Sequence, residues 1–158
     1  MALVKGTNSY ATVEEADAYF TDRIDVVAWT TATAEQKAQA LVTASRLLDD
    51  MRWTGTAVSE VQPLAFPRNG QYFDPRLGSY VTLTEDVPSR IVLAVYELAY
   101  HFLNNDGVLD DTSRVRNITV GPIKLEESIK ASVIPNGVRS VVRPLLINSG
   151  SNPWWRAN

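Results

Sequence analysis

Apolar residues recur along this chain at two different spacings, and the change of spacing organises it. Val13, Ala16, Tyr19 and Phe20 fall on one helical face, which the stem of Arg23 extends. Thr12-Val13-Glu14-Glu15 ahead of them has the form of a capping box, placing a helix near 12–23. A second box, Thr33-Ala34-Glu35-Gln36, opens a stripe of Ala38, Leu41, Ala44, Leu47, Leu48 and Met51, and predicts a helix near 33–52 that stops before Gly55. A third helix is expected near 88–104, capped by Asp86 with Pro88 close to its first turn. Ile91, Val92, Val95, Leu98, Ala99, Phe102 and Leu103 cover most of its circumference, as in a central helix. Leu41, Leu48, Val95, Leu98 and Phe102 are the expected centre of the core.

After Gly107 the period shortens. Val115, Ile118, Val120, Ile123, Leu125 and Ile129, interrupted by Gly121-Pro122, read as a β-hairpin near 115–130. Asn136 opens a short last helix near 137–143, limited by Pro144. Residues 1–11 read as an extended arm, and Trp29 and Trp53, at helix ends, as core or loop packing. Residues 54–87 hold three prolines, three glycines and the aromatics Phe66, Tyr72, Phe73 and Tyr80. So long a connection is expected to be functional or to contain a short hairpin. Its stretch 62–80 is expected to form a surface loop touching a neighbouring protein. The fold class is therefore mainly α: a small helical bundle with a β-hairpin insertion, one domain over 1–147, and an extended C-terminal arm over 148–158.

Composition narrows the function. No stretch approaches the ~20 apolar residues of a membrane span, so no membrane partner is expected. There is no cysteine and one histidine, His101, read as a structural group in a buried helix. The pairs Asp49-Asp50 and Asp110-Asp111 lack further ligands and read as surface acids. With no phosphate loop or nucleophile elbow, the expectation is no enzyme, no cofactor and no metal. The net charge of −3 is uneven: residues 1–106 carry 8 Lys+Arg against 14 Asp+Glu, and residues 107–158 carry 7 against 4. The cationic part, with Trp154 and Trp155, could make a nucleic-acid surface. The acidic pI of about 5.1 favours the other reading, in which Trp154, Trp155 and Arg156 are protein-interface anchors on a Ser/Asn/Gly tether. A tail folded back on its own core is the remaining alternative.

Residues 8–20 (NSYATVEEADAYF), 40–55 (ALVTASRLLDDMRWTG), 62–70 (QPLAFPRNG) and 87–103 resemble a phage family labelled DnaT-like single-stranded DNA-binding proteins. The same arrangement is similar to head-tail adaptors of tailed phages. That second resemblance implies a ring of copies, usually a dodecamer, docked under the portal protein. The ring would meet a further neck or tail protein and pass double-stranded DNA through its channel. It also implies a place in the virion neck, with the host cytoplasm during assembly. The expected partner-binding residues are Trp154, Trp155, Arg156, Arg139, Arg143, Phe66, Arg68, Tyr72 and Phe73. The expected function is thus a structural adaptor, and the alternative is a single-stranded DNA-binding protein.

Overall fold

Helix α4 (Ser89–Asn104) is the element around which the others are arranged. Ile91, Ala94, Val95, Tyr96, Leu98, Ala99 and Phe102 are all buried, more than one helical face can supply, so α4 must be covered from several sides. Its coordinates come from a computed structural model that describes residues 2–84, 86–105, 114–120, 123–129 and 134–147, with 114–120 and 123–129 described by their backbone alone.

Helix α3 (Ala34–Asp49) packs on α4 through Leu41, Ala44 and Leu48, all fully buried. Helix α1 (Val13–Thr21) contributes Ala16 and Phe20. Both expected capping boxes are present: the side chains of Thr12 and Thr33 accept from the amides of Glu15 and Gln36, whose side chains reach back to the cap amides. A one-turn helix α2 (Val27–Thr31), which the sequence pattern did not predict, carries Trp29 into the core. The indole Nε1 donates to Asp17 at 2.8 Å, and Lys37 pairs with the same carboxylate at 2.8 Å. Helix α5 (Asn136–Val142) and the 3-10 turn Arg143–Leu145 close the last side with Val138, Val142 and Leu145.

Strands β1 (Thr56–Ala57), β2 (Arg68–Asp74) and β3 (Ser79–Leu83) form an antiparallel sheet in that order. The long connection therefore does hold a hairpin. Gly55 sits at its entrance with φ +74°, where an added Cβ would collide with the Asn69 carbonyl oxygen, so the close approach excludes a side chain. Strands β4 (Arg114–Val120) and β5 (Ile123–Ile129) form the second expected hairpin, with Ile118 opposite Leu125 and Val120 opposite Ile123. The architecture is mainly α with a hairpin, as the pattern predicts.

Three local expectations are corrected. Residues 1–11 are not an extended arm: Val4–Ser9 form a turn, and Ser9, Tyr10 and Ala11 are buried. The amide of Tyr10 donates to Ser45 Oγ at 3.1 Å, and its hydroxyl donates to Asp49 and accepts from the Phe66 amide. Pro88, not Asp86, is the cap residue of α4, because its fixed φ leads directly into Ser89. Asp49 is not a solvated acid. It is half-buried and accepts from Tyr10 and, at 3.1 Å, from the Ala65 amide.

Candidate nucleic-acid interface

Alternation along β2 and β3 decides which side chains of the hairpin face outward. Tyr72, Asp74, Val81 and Leu83 turn towards the bundle, whereas Gln71, Phe73, Tyr80 and Thr82 are exposed. Register places Gln71 opposite Thr82 and Phe73 opposite Tyr80. Phe73 is 47% exposed and Tyr80 73%, and their rings meet edge to face with centroids 5.5 Å apart. The turn that joins the strands adds Arg76 and Leu77, both exposed. Two aromatics held in contact on a solvent-facing strand pair leave ring surface available to a flat partner, and bases stack on such surfaces whatever their sequence.

Arg52, Arg76, Arg139 and Arg143 are exposed and make no ion pair among the described residues. The 3-10 turn that follows α5 packs against β2. The Thr54 amide donates to Leu145 O at 2.8 Å, and Arg90 joins the Val141 carbonyl to Asp74. Arg143 thus belongs to the turn adjoining β2, and Arg139 to the helix before it. Asp74, buried at the end of β2, is neutralised by Arg90, whose hydrogen bonds hold its carboxyl below the usual carboxylate range. The exposed acids Glu14, Asp22, Asp25 and Glu35 lie elsewhere, on α1, the α1–α2 turn and the start of α3, while Asp50, Glu60 and Asp86 are the exposed acids nearer to the sheet in sequence.

The structure divides the expected contact residues. Phe73, Arg139 and Arg143 are exposed, Phe73 on the sheet and the two arginines on α5 and the turn after it. Phe66 is not a contact residue: it is 3% exposed, packed edge-on against Trp53 at 5.2 Å and facing Tyr10. Arg68 donates to the carbonyls of Thr54 at 2.9 Å, Gly55 at 2.6 Å and Ala65 at 3.3 Å, so its guanidinium is spent on holding the loop. Tyr72 faces inward and is half-buried. The stretch 62–80 is therefore two things, a buried anchor through Leu64 and Phe66 and an exposed hairpin beyond Arg68. Trp154, Trp155 and Arg156 lie outside the described residues, as do Asp106, Asp110 and Asp111. Tyr80 is absent from the expected contact set, although the alternation Tyr80-Val81-Thr82 after a Pro/Gly turn marks it as outward-facing.

Among the described residues no group of three or more His, Cys, Asp or Glu side chains gathers where it could hold a metal ion. His101 is partly buried on α4, and its Nδ1 lies 3.0 Å from the side-chain Nδ2 of Asn105. Burial, and then the Asp49 carboxylate, push the Tyr10 hydroxyl far above its ordinary pKa. Burial likewise raises Asp49. Both groups tie the N-terminal turn to the loop and lie away from the outer face of the sheet. No helix of the described residues is long and apolar enough to cross a membrane.

A helical core carrying a small antiparallel sheet, with an exposed aromatic pair on its outer face, defines a small, mainly α protein. A family model described as "Putative DnaT-like ssDNA binding protein" matches residues 2–157, and the chain belongs to that family. No curated protein and no solved structure matches the chain. The match spans nearly the whole sequence and carries a single-stranded DNA-binding description. It overturns the expectation of a structural adaptor: portal, ring, neck and tail partners, and a channel for double-stranded DNA, have no support in it. The acidic overall balance had counted against DNA binding. Net charge averages over the whole chain, however, whereas phosphates respond to cations within a Debye length of about 8–10 Å.

Proposed function

We propose that the protein binds single-stranded DNA on the outer face of β2–β3. Bases stack on the Phe73–Tyr80 pair, and the phosphate backbone passes Arg76, Arg139 and Arg143. The exposed aromatic pair is the observation that carries this reading, and the family description agrees with it. Stacking on one side chain supplies about 1–3 kcal/mol per base without sequence preference, and the cations supply a salt-dependent remainder. A duplex keeps its bases stacked on each other, so the platform favours unpaired strands. The chemistry is binding alone, with no bond made or broken.

Fluorescence anisotropy with a labelled oligo-dT tests the reading. Binding is expected to weaken as salt rises, and F73A/Y80A is expected to lose about 1–3 kcal/mol, roughly 5- to 150-fold, for each base that stacks. A double variant that binds oligo-dT as tightly as the parent would remove the platform from the interface.

A further inference from the structure

Asp74 and Arg90 occupy the junction between the platform and the bundle. Asp74 ends β2 on its inward face, one residue after Phe73, and is only 2% exposed. Its carboxylate receives Arg90 Nη2 at 2.7 Å and Nε at 3.3 Å, a two-pronged contact, and also the Arg76 amide at 2.9 Å. The remaining arm of the guanidinium, Nη1, donates to the Val141 carbonyl on α5 at 3.2 Å. The main chain of Asp74 accepts from the Leu77 and Gly78 amides, so the turn is built on the same residue. One side chain from the first turn of α4 therefore joins the end of β2, the hairpin turn and α5. A two-stranded hairpin is marginal by itself, and its orientation here depends on what fastens its inner face.

We infer that Arg90 is a positioning residue for the Phe73–Tyr80 platform: it does not touch the strand of DNA, but fixes the hairpin so that both rings present their faces outward. This rests on the single-stranded DNA reading. The fork and the third donor are needed together. Lysine would keep the charge but could not hold the carboxylate in two places and reach Val141 as well. Because its charge is spent on Asp74, Arg90 contributes no phosphate contact.

The test combines amide hydrogen exchange with oligo-dT binding for R90Q, R90K, Y80A and R90Q/Y80A. R90Q is expected to speed exchange in residues 70–83 while the amides around Leu41 and Leu98 stay protected, with R90K intermediate. Oligo-dT binding of R90Q should weaken by about tenfold with an unchanged salt slope, and R90Q/Y80A should bind no worse than Y80A, since residues acting through one platform are not additive. Additive losses, or a reduced salt slope, would show Arg90 acting apart from the platform and overturn the inference; so would unchanged exchange in 70–83. If R90Q does not fold, R90K carries the same comparisons. If the parent protein binds no oligo-dT, the DNA reading itself falls, and exchange alone decides whether Arg90 holds the hairpin.

Discussion

Tyr10 and Asp49 show how much a single polar contact does in this protein. Both hydrogen bonds to Asp49, from the Tyr10 hydroxyl and the Ala65 amide, end on the same oxygen, Oδ1. An asparagine can offer that oxygen without a charge. D49N is therefore expected to fold with stability at or above the parent near neutral pH, whereas D49A strands a buried donor and should cost about 1–3 kcal/mol. The pH dependence follows from the direction of the shift. Burial raises the carboxyl pKa in the folded state, so folding favours the proton. The contribution of Asp49 is best below the ordinary aspartate value of about 3.9 and declines as pH rises through the shifted one. Urea midpoints at pH 4.5 and 7.5 check this: the advantage of D49N over the parent should grow with pH.

Among the elements, α4 lies at the centre of the core and the β2–β3 hairpin carries the exposed Phe73–Tyr80 pair. Leu98 is fully buried where α3 and α4 meet, and L98A should cost about 2–5 kcal/mol in a thermal or denaturant melt, the penalty of a core cavity. The helices were legible in the sequence because their determinants are local. Thr12 with Glu15 and Thr33 with Gln36 lie three residues apart, and the apolar stripe of α4 repeats every turn. The one-turn α2 was not legible. It is too short to show a period, and it persists because Trp29 fills the core beside Phe20, with centroids 4.6 Å apart, and bonds Asp17. The Pro/Gly-rich connection was readable only as a region that could contain a hairpin. Its aromatics were in view, but apart from Tyr80, whose alternation with Val81 and Thr82 is local, their facing was not.

Across the molecule, which charges lie within a Debye length of a bound strand matters more than their sum. Arg139 on α5 and Arg143 in the 3-10 turn after it are exposed and make no ion pair among the described residues, and that turn packs against β2. R139Q/R143Q should weaken oligo-dT binding at every base composition and reduce the slope of log affinity against log salt by roughly 1.4, about 0.7 for each single-strand phosphate that an arginine neutralises. A salt slope that stays the same would place the DNA path away from α5.

Local pattern was enough for the capped helices, the central position of α4, the core residues Leu41, Leu48, Val95, Leu98 and Phe102, and the existence of a hairpin after Gly107. Each rests on interactions spanning a turn of helix or a few residues of strand. Tertiary packing was needed to sort the aromatics into core and surface. Phe66 and Phe73 stand seven residues apart in similar surroundings, yet one is sealed under Trp53 and Tyr10 and the other faces solvent. That choice is made by partners far along the chain: Tyr10 reaches Asp49 and Phe66, and Arg90 fixes Asp74. Strand alternation then turns every neighbouring side chain inward or outward from those fixed points, and no local pattern encodes where the fixed points lie.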